Sequence, residues 1–463
     1  MEKWQMTRRA FLASATTAAT LAGCATSKPT LNTAKVVPRK LSPNGKLNLA
    51  CIGVGGMGGG DTMSCAKEKD LVNIVALCDV DDKSAGETYY KLPDAKRYKD
   101  YRKMLEEMDK EIDACTVSTP DHTHAPAAYT AMMMGKHVRV QKPMTHTIAE
   151  ARLLAKVAKE TGVVTAMGNQ GHSGDGVREL CEFLWSGVIG DVKEAHIWTD
   201  RPIWPQGIEK PLDEKPVPAT MAWDLWLGTA PVRPFNPAYA PFKWRGWWDF
   251  GCGAIGDMAC HIMDPAFWSL HLGAAPKYSV EVVKQEGMTK QTPPKKSIIK
   301  FEFPERQTEN GLMPPVTVYW YDGKMKPPRP EGVPADEQLG DGDNGSLFIG
   351  TKGIATSGTY GGKSRLLPAE KMKDYKRPDP TIPRVEGENP YLHWIKACLN
   401  NTVAMSDFSY AGPLTEVANM GNVALLAGKK IEFDVASMKI TNDKKANQYL
   451  TKEYRKGFDF MPL

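Results

Sequence analysis

The feature that most constrains this chain is a glycine run set at the end of an apolar strand. Leu47–Ile52 reads as a short buried strand that enters Gly53-Val54-Gly55-Gly56-Met57-Gly58, and a helix over 57–67 is expected to follow. A GxGxxG pattern alone is a common turn. Here a second apolar strand, Val72–Cys78, comes next and ends in Asp79, 21 residues past the third glycine. That spacing suits an acid that hydrogen-bonds the adenosine ribose of a dinucleotide. The glycines let backbone approach a pyrophosphate, and the helix N-terminus supplies N–H donors and a positive dipole end. A carboxylate at 79 repels a 2′-phosphate, which favours NAD over NADP.

The alternation continues. A helix is expected over 101–108, a strand over 113–118 stopped at Thr119-Pro120, and a helix over 125–134 closed by Gly135. A strand over 138–141 stops at Pro143. Thr147 and Glu150 then form a capping box that opens a helix over 149–160, ahead of a strand over 163–167. Strands separated by helices of this length make βαβ units, hence an α/β domain with a parallel, doubly wound sheet. Ligands of such sheets sit at the carboxyl ends of the strands. Those ends supply Gly53, Asp79, Thr119, Gln141, Lys142 and Asn169. Together with Gly55, Met57, Gly58, Asp121 and His124, these are the expected cofactor contacts.

A chain of 463 residues holds two or three domains. From Glu194 onward the pattern changes. Alternating apolar runs over 277–284, 297–303 and 316–321, joined by Pro- and Gly-rich turns, predict a mostly antiparallel sheet in a second α/β domain. Residues 322–346 read as a long surface loop, and 391–399 and 414–426 as helices on that domain. Seven of the 12 tryptophans (Trp198, Trp204, Trp223, Trp226, Trp244, Trp247, Trp248) fall within 51 residues. They suit an aromatic core or subunit interface, with Trp247 or Trp248 foremost as a wall for a sugar ring, and Arg201, Arg245 and Asp249 as partners for hydroxyls. The net charge of +5 is dispersed without a basic stripe, which argues against a nucleic-acid binder.

The N-terminus reads as an address. Arg8-Arg9 precedes an apolar run of thirteen residues, Phe11 to Gly23. Such a run is too short to cross a hydrocarbon core of about 30 Å. The paired arginines resemble a Tat export signal, and Leu21-Ala22-Gly23-Cys24 resembles a lipobox with Cys24 as the lipidated residue, although an ordinary secretory peptide with a chance cysteine fits the same residues. The expected organisation is a signal over 1–24, a tether over 25–43, a dinucleotide domain over 44–168 and a substrate domain over 169–463. The protein would then be exported, periplasmic or membrane-anchored, and touch the membrane only through its lipid. Of nine cysteines, Cys51, Cys78 and Cys115 sit inside expected strands, so the thiols are expected to be mostly free and buried.

The order GxGxxG, Asp79, Ser118-Thr119-Pro120 with His124, then Lys142-Pro143 resembles the Gfo/Idh/MocA oxidoreductases. Gly256-Asp257-Met258-Ala259-Cys260-His261 is similar to that family's Gly-Asp-x-x-x-His segment. The family's usual Glu-Lys-Pro reads Gln141-Lys142-Pro143 here. The resemblance implies a Rossmann domain, a second domain with a large sheet, nicotinamide chemistry on a sugar or cyclitol hydroxyl, and a homo-oligomer.

The residues carry a reading of their own. Asp257 and His261 are four apart, so a helix places them on one face. The imidazole suits a base, the carboxylate an orienter or a sugar acceptor, and Lys142 an electrostatic partner for the developing alkoxide. The same pair also suits a structural i,i+4 contact. Expected catalytic residues are therefore Lys142, Asp257 and His261, and expected substrate contacts are these with Arg245 and Trp248. Asp121, His122 and His124 lack a convergent cysteine, so no metal is expected. The sequence supports an NAD-dependent oxidoreductase with a tightly held, recycled cofactor. Its alternatives are an NAD-dependent glycosidase running an oxidation–elimination cycle, and a non-catalytic sugar-binding lipoprotein.

Overall fold

The computed structural model describes residues 45–211 and 213–461. The signal, the lipobox and the whole of the tether lie outside them. The first sheet is built from β1 (Leu47–Ile52), β2 (Val72–Cys78), β3 (Lys96–Tyr98), β4 (Ala114–Val117), β5 (His137–Val140) and β6 (Thr165–Met167). Their order is β3-β2-β1-β4-β5-β6 with every pair parallel. Fully buried runs such as β4 and β5 are what a parallel sheet covered on both faces requires. The crossovers are α1 (Met57–Ala66), α2 (Asp82–Lys91), α3 (Tyr101–Glu107), α4 (Asp121–Met133) and α5 (Ile148–Thr161).

Two details depart from the sequence reading. The helix α2 and the edge strand β3 were not expected, because α2 buries little beyond Ala85, Thr88 and Tyr89 and β3 carries exposed Lys96 and Arg97. The available signal was Asp81, whose side chain caps α2 by accepting from Lys83 N. The helix α4 starts at Asp121 rather than 125 and keeps Pro126 inside it. A proline there leaves the carbonyl four residues back without its helical donor. That carbonyl, His122 O, instead accepts from Thr229 Oγ1 at 2.8 Å and from Lys452 Nζ at 3.3 Å.

The second sheet has nine strands: β7 (Val192–Trp198), β8 (Lys277–Glu286), β9 (Lys296–Phe303), β12 (Val316–Tyr321), β13 (Gly345–Gly350), β14 (Ile354–Ser357), β15 (Arg365–Leu367), β16 (Ile431–Asp434) and β17 (Lys439–Ile440). A separate hairpin pairs β10 (Arg306–Thr308) with β11 (Gly311–Met313). The order is β15-β14-β13-β7-β12-β9-β8-β16-β17, and only β7–β12 is parallel. Strict alternation in β9 turns Ile299, Phe301 and Phe303 inward. Helices α6 (Asp175–Trp185), α7 (Trp223–Leu227), α8 (Gly253–Ile262), α9 (Asp264–Ser269), α10 (Pro390–Asn400) and α11 (Phe408–Ala427) complete the chain.

The core does not respect the expected boundary near residue 168. One buried cluster joins Val138, Val140 and Leu154 of the first sheet's layers to Phe301, Val318, Leu414 and Val417 of the second. The helix α10, expected on the second domain, packs instead on the first sheet: Trp394, Ile395 and Cys398 share a cluster with Leu47, Leu49 and Cys51. Cys51, Cys65, Cys78, Cys115, Cys181, Cys252, Cys260 and Cys398 are free and buried. No described helix is long and apolar enough to cross a membrane.

The capping box of α5 forms as expected, with Thr147 accepting from Glu150 N and Gly162 closing the helix in the left-handed region. Glu150 also accepts from the hydroxyl of Tyr454 at 3.1 Å and pairs with Lys452 at 3.3 Å, so the C-terminal segment is anchored on it. Thr147→Ala should therefore cost about 1 kcal/mol, the usual value of a lost cap. Glu150→Ala should cost about 3 kcal/mol or more, because it also removes the buried carboxylate that pairs with Lys452 and accepts from Tyr454. Urea unfolding of the two variants checks the difference.

Candidate active site

The glycine turn is shaped by backbone crowding. Gly53 has φ +76, and a Cβ there would lie 2.6 Å from Ser118 O. A Cβ on Gly58 would lie 1.9 Å from Gly53 O, so α1 can start this close to β1 only at a glycine. Asp79 closes the turn from the end of β2. Its Oδ2 accepts from Val54 N at 2.8 Å and Gly55 N at 3.0 Å, and its Oδ1 from Asp81 N at 2.9 Å. Burial raises its pKa against these three donors. Each oxygen keeps acceptor capacity for a ribose hydroxyl.

From this turn a cavity of about 480 Å³ runs along the carboxyl ends of the strands. Gly53, Gly55, Met57, Asp79, Thr119, Asp121, Gln141, Lys142 and Arg245 line it. The other wall comes from the segment over 199–251, which contributes Met221, Leu225, Trp226, Phe242 and Trp244. That segment is tied over the first sheet: Ala222 N donates to Val80 O at 2.8 Å, Asp82 N to Thr220 O at 3.1 Å, and His122 N to Phe250 O at 3.2 Å. Most of its tryptophans form a local core, in which Trp223 and Trp226 stack at 4.7 Å and Trp226 meets Phe250 edge-on.

Lys142, at the end of β5, meets α8 at the far end of the cavity. Its Nζ lies 2.9 Å from Asp257 Oδ1 and 2.9 Å from Asp257 O. Arg245 Nε donates to the same Oδ1 at 3.1 Å, with its guanidinium 4.2 Å from the Trp244 ring and 4.8 Å from Phe242. Burial alone would raise the Asp257 pKa, but Lys142 and Arg245 hold it below the usual carboxylate range. His261 follows one turn later and forms no hydrogen bond among the described residues; its Nδ1 is buried and unpartnered. Burial and the Lys142 cation push its pKa down to about 3, so the ring is neutral near pH 7.

The structure assigns several side chains differently from the sequence reading. Asp257 engages Lys142 and Arg245 and makes no hydrogen bond to His261, so it orients the cations rather than the imidazole. Trp248 packs on the main core and donates to Thr289 O at 3.3 Å, whereas Trp226 and Trp244 line the cavity. Gly58 and His124 sit behind the lining. The His124 ring is wedged between the carbonyls of Thr119 and Pro143 at 2.7 and 2.8 Å. Asn169 is buried at the end of β6, and neither of its amide atoms has a partner among the described residues. The His172 ring is turned to Asp264 at 3.0 Å.

Tyr360 was missed. It holds φ +58, its ring lies 5.3 Å from that of His261 and edge-on to it, and its hydroxyl accepts from Gln170 Nε2 at 3.0 Å. The only signal was its place beside Gly361-Gly362. Among the described residues no group of three or more His, Cys, Asp or Glu is arranged to hold a metal.

The cradle fits a dinucleotide on its own evidence: glycines that exclude a Cβ, a carboxylate behind them and a walled cavity leading to a lysine. Comparison with known proteins adds the family. Residues 47–169 match the model of the Gfo/Idh/MocA oxidoreductase family, NAD-binding Rossmann fold, and residues 194–299 its C-terminal α/β domain. An uncharacterised oxidoreductase of Escherichia coli is 38% identical over 96 residues, 20% of this chain and 28% of that protein. A glycosyl hydrolase family 109 protein of Shewanella pealeana is 31% identical over 177 residues, 34% and 38% of the two chains. An inositol 2-dehydrogenase of Salmonella typhimurium is 25% identical over 152 residues, 32% and 45% of the two chains. The chain thus spans under half the length of these curated relatives. The fold is shared with the WlbA dehydrogenase from Bordetella pertussis in complex with NADH and UDP-GlcNAcA, at TM-score 0.58 and 15% identity, covering 83% of this chain and 98% of that one.

Two outcomes are expected. Asp79→Ala should weaken NADH binding at least about tenfold, the worth of charge-assisted hydrogen bonds, and abolish the preference over NADPH; fluorescence titration with both nucleotides checks this. Asp121 is buried beside Asp257, and burial pushes its pKa up to about 7 against Arg245 and Lys142. A carboxyl whose folded pKa is raised loses stability as pH rises from its unfolded value near 4 to about 7. Asp121→Asn should therefore gain in melting temperature relative to the parent between pH 5 and pH 8.

Proposed function

By both of its domains this chain belongs to the Gfo/Idh/MocA oxidoreductases, and from that premise we propose that it oxidises or reduces a hydroxyl-bearing carbon of a sugar, glycoside or cyclitol. The observation that carries the reading is the junction of β5 and α8. Lys142, Asp257 and Arg245 meet within 2.9–3.1 Å at one end of the cavity, with neutral His261 one turn away.

The chemistry that NAD supplies when bound is hydride acceptance at its nicotinamide. Gly53, Gly55 and Asp79 would hold its nucleotide end, and Thr119, Asp121 and Gln141 line the path toward Lys142. The Lys142 ammonium polarises the substrate hydroxyl and stabilises the charge that develops on its oxygen. Asp257 fixes that ammonium and the Arg245 guanidinium in place. His261 takes the hydroxyl proton on an imidazole nitrogen that no other group engages. Burial beneath the 199–251 segment excludes water from this exchange.

The same segment supports a cofactor that stays bound through turnover, since its ties to Val80, Asp82 and His122 straddle the cavity. Retention also suits the proposed itinerary. The twin-arginine and lipobox pattern reads as export of a folded, loaded protein to a periplasmic or membrane-anchored site, and the large sheet as an oligomer surface.

The purified protein, denatured without added cofactor, should release stoichiometric NAD or NADH, identified by mass spectrometry; an empty protein that binds neither would overturn the redox reading. His261→Ala should lower turnover by about 10²–10⁴ while sugar affinity changes little. Cleavage of glycosides instead of keto-sugar formation would select the oxidation–elimination cycle; turnover that persists in His261→Ala would remove the imidazole as the base, and a protein that binds sugar but neither holds NAD nor turns the sugar over would select the sugar-binding reading.

A further inference from the structure

A second polar cluster lies behind the cofactor cavity. Asp61, on α1 three residues past the glycine run, is wholly buried. Its oxygens accept from Ser118 Oγ at 2.7 Å, Gln141 Nε2 at 3.0 Å and Tyr391 Oη at 2.5 Å. Two strand ends of the first domain and the returning helix α10 therefore converge on one carboxylate of α1. Gln141 spends its other amide atom on the next residue: Oε1 accepts from Lys142 N at 2.9 Å.

A carboxylate can only accept, so it turns the NH₂ of Gln141 toward itself and the amide oxygen toward Lys142. Little room exists for another rotamer, because a Cβ on Gly168 would already lie 2.8 Å from the Gln141 amide. Arg139 lies close by, stacked 4.2 Å from the Tyr391 ring and 3.9 Å from Asp61, with its guanidinium nitrogens buried and without hydrogen-bond partners among the described residues. The charge on Asp61 is its nearest compensation.

We propose that Asp61 is a positioning residue for Lys142, acting through Gln141, so that the carboxylate absent from position 141 is supplied from α1. The proposal rests on the functional reading only for the role of Lys142. It explains how a glutamine stands beside the lysine without leaving that strand end uncharged. A glutamate at 141 would therefore be harmful here, because it would face Asp61 across the 3.0 Å now spanned by the amide.

The test compares Gln141→Glu, Asp61→Asn and the double variant by NADH fluorescence titration and thermal unfolding from pH 6 to pH 9. The groups facing the pair are Arg139 and Lys142 from β5 and its end, Cys51 from β1, Cys65 from α1 and Tyr391 from α10. Burial pushes the Cys51 thiol up to about 11 and also raises Cys65 and Tyr391, so none of these three titrates in that window. Asp121 acts on all variants alike and cancels in the comparison with the parent.

Gln141→Glu should weaken NADH binding about tenfold at pH 8 and regain most of it by pH 6, since two facing carboxylates come to share a proton. Asp61→Asn/Gln141→Glu, with one carboxylate again opposite one amide, should return to within about threefold of the parent and lose the acid recovery. Gln141→Glu indistinguishable from the parent at every pH, or a double variant as poor as the product of the singles, would overturn the proposal. If the Asp61 variants do not fold, the pH profile of Gln141→Glu decides alone. A parent that binds no NADH overturns the functional reading instead, and the melting temperatures then carry the same comparison.

Discussion

Everything in this molecule turns on one ion cluster that neither domain owns. Lys142 ends a strand of the first sheet, Asp257 sits on a helix of the second domain, and their contact at 2.9 Å brings the cofactor cavity to α8. Burying these charges is costly, and the geometry repays it only because Arg245 shares the carboxylate and the Asp257 carbonyl also accepts from Lys142. The fused hydrophobic core behind the cluster holds the two sheets in register with it. A hinge between independent domains would leave the three charges half-paired. A common core does not.

Around that cluster the chain places aromatic surface rather than further charge. Trp226, Phe242 and Trp244 wall the cavity, and Trp244 and Phe242 also box the Arg245 guanidinium. The segment that carries them is held from both sides. Its inner edge bonds to Val80, Asp82 and His122, and its outer edge to Arg455, which donates to Gly228 O at 2.8 Å and pairs with Asp224. The C-terminal residues thus help to hold the wall of a cavity that begins near residue 52. Binding and stability are coupled here through backbone hydrogen bonds rather than through contacts with a ligand.

The sequence was most legible where one local rule acts alone. Period-2 alternation marked β9 and β12, the capping box marked α5, and the strand–glycine–helix order with Asp79 marked the nucleotide cradle. It was least legible where a local rule is overridden by a distant partner. The sequence reading starts this helix at 125, yet α4 begins a turn earlier with Pro126 inside it, because Thr229 and Lys452 satisfy the carbonyl that the proline leaves free. The helix α10 reads as part of the second domain, but the buried cluster that holds Trp394 also holds Leu47 and Cys51, more than three hundred residues away in sequence. Among the tryptophans, composition cannot choose the two that face the cavity, since all seven have the same chemistry.

Taken by itself, the sequence determined the strand–helix alternation of the first domain apart from α2 and β3, the parallel first sheet, the glycine cradle with its acid, and the residue types on which the redox reading rests. These follow from spacing along the chain: 2 and 3.6 residue periods, a four-residue step from Asp257 to His261, a turn that only glycine can make. Tertiary structure alone decided the partners. It paired Asp257 with Lys142 instead of His261, turned Gln141 by means of Asp61, set Tyr360 against His261, and joined two cores into one. The physical reason is that a buried polar group takes whatever donor or acceptor the fold brings within about 3 Å, and that distance is not written in sequence separation.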